Sequence, residues 1–138
     1  MNVVIDTNVI LSGAFFRGYP RLILILVDKG LVTAYASEEI IAEYRKVIGG
    51  FSNNENGSFD KDLAETVVKK LNIINVTSND VVCRDKDDDK FLNCAKDANA
   101  KYIISGDKDL LVIEQYGDIS IVTAKDFYID NFGNEQFV

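Results

Sequence analysis

Histidine is absent from the 138 residues. That absence excludes Ser-His-Asp and Cys-His nucleophile systems and any zinc site built on imidazole. Acid–base or metal chemistry in this chain therefore rests on carboxylates. Cysteine is scarce: Cys83 and Cys94 are too few for a disulfide framework or a zinc cage. Long apolar runs are missing too, the longest being Leu22 to Val27, far short of the about 20 residues that span a bilayer. The opening Met1-Asn2-Val3-Val4-Ile5-Asp6 lacks the basic start and apolar stretch of a signal peptide, so a reduced, cytoplasmic protein is expected. Positive charge is in deficit, with Lys+Arg 15 against Asp+Glu 22 and a net charge of −7, which argues against broad attraction to nucleic acid or anionic membrane. What is present is ordinary for a folded domain: 47% hydrophobic and 27% charged residues. The length predicts one domain over residues 1–138, burying about two-thirds of its unfolded surface.

Apolar runs and their punctuation predict alternating strands and helices. Val3-Val4-Ile5 reads as a buried strand ending at Asp6. Pro20 suits the first turn of a helix carrying Leu22 to Val27 and stopping near Gly30. Leu31 to Ala36 reads as a second strand, and Ser37 as the N-cap of a helix to about Ile48. Gly49 to Ser58 reads as a loop, followed by a helix from about Asp60 to Leu71 and a short strand near Ile74 to Thr77. Asp85 to Asp89 leads into a helix with Phe91, Leu92, Ala95 and Ala98, and Tyr102-Ile103-Ile104 is a strand ending in Ser105-Gly106-Asp107. A short helix at Leu110 to Glu114, a strand at Ile119 to Val122 and a last helix opened by Thr123 with Asp126 complete the chain. Strands apolar throughout, alternating with helices, indicate an α/β fold on a mainly parallel sheet.

Ligands of open parallel sheets gather outside the carboxyl ends of the strands. Asp6 closes the first strand and Asp107 follows the strand at Tyr102 to Ile104, so both belong to that edge. Either alone is an ordinary turn former or helix cap; together they point to a site. On the helix after Ser37 the apolar stripe is Ile40, Ile41, Tyr44, Val47 and Ile48. Glu43 lies about 100° from its centre, nearer than Glu38 or Glu39, with a solvated flank position as the plain alternative.

The run Arg84-Asp85-Lys86-Asp87-Asp88-Asp89-Lys90 imitates an EF-hand loop, but Lys90 stands where the turn glycine is required and Lys96 where the bidentate glutamate belongs. Most of the run reads as a solvated, acidic helix N-terminus. Asp88 is the exception, since Phe91, Leu92 and Ala95 follow it at helical spacing and share its inward face. Asp89 is expected about 100° away, towards solvent. Four converging carboxylates repel one another, no basic residue stands beside Asp6, and Mg²⁺ or Mn²⁺ is the usual remedy.

Asp6-Thr7-Asn8, Glu43 within Ser37 to Glu43, Asp88 before Phe91-Leu92, and Ser105-Gly106-Asp107-Lys108-Asp109-Leu110, in that order over about residues 2 to 130, resemble the PIN-domain family. The stretches Arg84 to Leu92 and Tyr102 to Leu111 are similar to PIN proteins that act as toxins of type II toxin–antitoxin pairs. The resemblance implies a three-layer α/β/α fold, a Mg²⁺- or Mn²⁺-dependent ribonuclease acting on RNA, a homodimer and a neutralising antitoxin. It places catalytic, metal-holding acids at Asp6, Glu43, Asp88 and Asp107, and supporting polar groups at Thr7, Asn8 and Ser105. Asp85, Asp89 and Asp109 stand near enough in the motifs to join the shell. Arg84, Lys86, Lys90 and Lys108 cluster where RNA phosphates would pass, and two divalent ions would bring the charge from −7 to about −3.

Two rivals are weaker. A phosphatase of the haloacid dehalogenase type needs a second Asp two residues after the first, and that position is Asn8. A PIN-like domain serving only as a binding module is the stronger rival, although all four acids are present.

Overall fold

The computed structural model describes residues 1–51 and 58–133. Strand β1 (Asn2–Ile5) is followed by helices α1 (Thr7–Phe15) and α2 (Tyr19–Asp28), strand β2 (Thr33–Ala36), helices α3 (Glu38–Phe51) and α4 (Lys61–Lys69), and the short strand β3 (Asn72–Ile73). After an extended passage come a single 3-10 turn at Lys86–Asp88, helix α5 (Asp89–Asp97), strand β4 (Tyr102–Ile104) and helix α6 (Lys108–Leu111). The hairpin of β5 (Gln115–Tyr116) and β6 (Ile119–Val122) precedes α7 (Ala124–Phe132).

The six strands lie in the order β3-β2-β1-β4-β6-β5, all parallel except β5, which runs antiparallel to β6. Val3, Val4 and Ile5 are fully buried, as a strand covered on both faces requires. From β1 the chain steps outward to β2 and β3, then returns through α5 to β4 on the other side of β1. Right-handed crossovers therefore put α5 on the face opposite α1 and α2. Accordingly α1, α2, α4 and α7 pack among themselves, α5 lies against β1, β2 and β4, and α3 touches both α1 and α5. This is an α/β/α sandwich of the expected kind. The reversal of direction between β1 and β4 opens a crevice at their carboxyl ends, where Asp6 and Asp107 lie.

Several expectations need correction. Helix α1 was not foreseen: its sequence is apolar nearly all round, so it carries no 3.6-residue contrast to read. Helix α3 runs on through Gly49 and Gly50 to Phe51 where a loop was expected, and the rest of that loop, 52–57, lies outside the described residues. The strand expected at Ile74 to Thr77 forms instead at Asn72–Ile73, beside β2, and Ile74 adds one further amide bond to Ala36 before the chain leaves the sheet. Helix α2 is covered from inside the chain by α1, α4 and α7, with Ile23, Leu24, Leu26 and Val27 buried and Leu22 and Ile25 half-buried. A partner subunit is thus not needed to cover the Leu22–Val27 run. Among the described residues no single helix is long and apolar enough to cross a membrane.

The α1–α2 contact is close because Gly13 faces Leu24: a Cβ there would lie 2.7 Å from Leu24 Cδ1 and 2.9 Å from the Pro20 carbonyl oxygen. Gly→Ala in a helix ordinarily gains about 1 kcal/mol. Here overpacking reverses the sign, and Gly13→Ala is expected to destabilise the fold by about 1–3 kcal/mol in urea denaturation. A stabilised variant would show that the helices separate at little cost.

Candidate metal centre

Asp6 stands at the N-cap position of α1, yet its carboxylate makes no capping bond. Its amide is tied across to the Ile104 carbonyl at 2.9 Å, which locks the end of β1 to β4. Its Oδ2 accepts from Ser105 Oγ at 2.7 Å, and the same hydroxyl oxygen accepts the Asp107 amide at 2.9 Å. One buried serine thus binds the two strand-end acids into a unit. Asp107 opens α6, its Oδ1 accepting the Asp109 amide at 2.9 Å. Asp6 is only 4% exposed; burial pushes its carboxyl up, Ser105 opposes this, and the charges of Asp107 and Glu43 add to the rise.

Asp88 ends the 3-10 turn and enters the crevice from α5, 7% exposed. Its Oδ2 is buried with no hydrogen-bond partner among the described residues. Burial, then the facing Asp107, then Asp85 and Asp6 push its carboxyl up to about 7. An orphaned carboxylate oxygen inside a set of carboxylates suits a hard divalent cation, which takes oxygen ligands. On the outer side, carboxylate oxygens of Asp85, Asp88 and Asp109 lie within 4.8 Å of one another. Asp85 also caps its own turn through the Asp87 amide, and Asp109 is paired with Arg84 at 2.9 Å.

Glu43 reaches the centre from α3 but is already engaged. Thr7 Oγ1 donates to its Oε2, and Lys90 Nζ lies 2.8 Å from its Oε1. Burial pulls the Lys90 ammonium down, but Glu43 and Asp87 outweigh it and hold it above its ordinary value. Lys90, expected among the phosphate contacts, is therefore spent inside the protein, whereas Arg84, Lys86 and Lys108 are exposed around the crevice. Thr7 is buried, and the exposed Asn8 lines, with Ser12, Ser105, Gly106 and Lys125, a neighbouring hollow of about 380 Å³.

Asp89 does not face solvent as expected; it is 8% exposed. Its Oδ1 accepts the amides of Val82 at 3.0 Å and Cys83 at 2.7 Å, and these bonds outweigh burial and hold its carboxyl below the usual range. One turn on, Asn93 accepts the Asp80 amide at 2.8 Å and donates to the Asp80 carbonyl at 3.0 Å. One turn further, Asp97 Oδ2 accepts the amides of Thr77 at 2.7 Å and Ser78 at 2.9 Å. Residues 89, 93 and 97 share one stripe of α5 and bind the extended chain that covers it. The spacing of four between polar residues with acceptor oxygens was the available signal, and reading each acid singly missed it.

The raised acids set a pH dependence for the metal-free protein. In the unfolded chain Asp88 releases its proton near its ordinary value of about 4, whereas in the fold it keeps it to about 7. Between these values folding takes up a proton, so stability falls as pH rises and levels off above about 7. The lowered carboxyls of Asp60, Asp80, Asp89 and Asp97 act oppositely, but their contribution is complete by about pH 5. The urea midpoint in EDTA is therefore expected to drop from pH 5 to 7.5, and Asp88→Asn to flatten the slope. A midpoint that is level or rises in the wild type would contradict the burial of these acids.

The comparisons agree with this geometry. A family model described as "PIN domain" matches residues 2–109. An uncharacterized protein of Methanocaldococcus jannaschii, MJ1680, is 39% identical over 121 residues, covering 80% of this chain and 74% of its own length. No solved structure matches the chain significantly. A match from the first strand through Asp109, over a parallel sheet with acids gathered at its switch point, places the chain in the PIN-domain family, a family of nuclease type.

Proposed function

We propose that the protein is a metal-dependent endoribonuclease that hydrolyses RNA phosphodiester bonds with Mg²⁺ or Mn²⁺ held by Asp6, Asp88 and Asp107. The observation that carries this is the buried, unpartnered Asp88 Oδ2 facing the Ser105-bound pair Asp6 and Asp107. Glu43 borders the three, and Asp85 and Asp109 stand at the outer rim. The chemistry a divalent ion supplies in such a site is polarisation of the phosphodiester and a water nucleophile at neutral pH. The chain's own contribution is to hold acids from β1, β4 and α5 in one crevice before any ligand arrives. Ser105 orients Asp6 and Asp107, and the Asp6 amide on Ile104 prevents the two strand ends from separating. Arg84, Lys86 and Lys108 are placed to meet backbone phosphates, offsetting locally a chain that is acidic overall.

We propose further that the protein acts in the cytoplasm as the toxin of a type II toxin–antitoxin pair, as a homodimer silenced by a cognate antitoxin. Family membership and the Arg84–Leu92 and Tyr102–Leu111 motifs support this part. The deciding experiment is cleavage of end-labelled RNA by the purified chain, in Mn²⁺ and in EDTA. Internal cuts that need the metal, and that Asp6→Asn reduces by orders of magnitude, are the expected result. RNA bound but left uncut under every metal condition would favour a binding module instead.

A further inference from the structure

The Lys90 side chain is 7% exposed, and its Nζ lies 2.8 Å from Glu43 Oε1, 3.0 Å from Asp87 Oδ1 and 2.8 Å from the Asp87 carbonyl oxygen. An ammonium has three N–H donors, and three oxygens surround this one, the Asp87 carbonyl as a hydrogen bond and the two carboxylates as ion pairs. Glu43 is equally committed, since its second oxygen accepts from Thr7. The centre is thus divided. Asp88 keeps a buried oxygen with no partner, whereas Glu43 has both oxygens bonded and its charge neutralised from within. A fixed positive charge beside a carboxylate opposes a dication arriving there.

We propose that Lys90 is a resident counter-ion that takes the place of a second divalent cation. The centre then holds one ion, on the Asp88 side, and Glu43 is a positioning residue that fixes Lys90 and Thr7, not a ligand. This inference rests on the metal-dependent reading above. Removing the Lys90 charge leaves Glu43 half-buried and uncompensated, a state that demands another cation.

The test is Mn²⁺ stoichiometry per folded chain, by calorimetric titration together with electron paramagnetic resonance. The wild type should bind one Mn²⁺ with the spectrum of an isolated ion. Lys90→Gln should bind two, with the spectrum of a spin-coupled pair. Glu43→Gln should keep one ion with affinity within about twofold of wild type, because no ligand has been lost, whereas Asp88→Asn should lose it. Two coupled ions in the wild type, a single ion in Lys90→Gln, or a tenfold loss of affinity in Glu43→Gln would overturn the proposal. If Lys90→Gln does not fold, the paired variant Lys90→Met with Glu43→Gln removes both charges at once. It should bind one ion as the wild type does, and loss of that ion would equally overturn the proposal. Failure of the underlying reading looks different: the wild type would bind no Mn²⁺, or Asp88→Asn would bind it unchanged.

Discussion

Asp88→Asn is expected to lower metal-dependent RNA cleavage by orders of magnitude and to leave the metal-free fold as stable as wild type or more stable at pH 7.5. Both effects have one cause. The side chain is buried beside Asp107 with an unpaired oxygen, so its charge is a cost to the empty fold and an asset only to a bound cation. Asp89→Asn should behave in the opposite way. Its Oδ1 holds the Val82 and Cys83 amides, and a neutral amide oxygen accepts these more weakly than a carboxylate. A loss of about 1–2 kcal/mol is expected, with Mn²⁺ affinity retained. Truncation to Asp89→Ala leaves the Cys83 amide without an acceptor and should cost about 2–4 kcal/mol. Urea denaturation and an RNA cleavage assay on the variants side by side settle the matter. An inactive, stable Asp89→Asn with an active, unstable Asp88→Asn would reverse the assignment.

The second large effect is thermal. Adding Mn²⁺ to EDTA-treated protein should raise Tm by roughly 10 °C at a hundredfold excess over Kd. Such an excess stabilises by about 2.7 kcal/mol, and each kcal/mol moves Tm by about 3–4 °C in a chain of this size. The shift should be larger at pH 8 than at pH 5, because Asp88 and Asp6 hold their protons higher than ordinary carboxyls and must release them to bind a cation. Superimposable melts with and without the metal would remove the basis for a cation site.

The framework was legible because burial on both faces leaves an unmistakable trace: Val3-Val4-Ile5 and Tyr102-Ile103-Ile104 are short, apolar and closed by acids. Helical phase was informative where a helix has one dry side, so Asp88 could be grouped with Phe91, Leu92 and Ala95, all of which are buried. Phase was silent on α1, whose polar side is only Asn8 and Ser12. It misled on Asp89, because it reports direction from the helix axis and not what lies there. The cover over Asp89 is irregular chain, with no period of its own. Strand β5 was missed for a related reason, since two residues and a turn at Gly117, φ +59°, give too little pattern to read, whereas its partner β6 was expected with the bounds it has. Lys90 was placed in the right neighbourhood and given the wrong partner, because its ion pair with Glu43 joins segments distant in sequence.

The passage from Thr77 to Cys83 is fastened unlike a strand of the sheet. A strand in a sheet shares its amides with a neighbour of the same kind, and its bonds open together. Here the rungs are three side chains of a single helix, and each holds its own one or two residues of the covering chain. The fastening is modular. Releasing the Asp97 rung should quicken hydrogen exchange at Thr77 and Ser78 while Val82 and Cys83 stay protected, and releasing the Asp89 rung should do the reverse. Next to the acids, Val82 and Cys83 are held by the Asp89 carboxylate and not by the sheet, and Arg84 and Asp85, which follow, are held in turn by Asp109 and by the 3-10 turn.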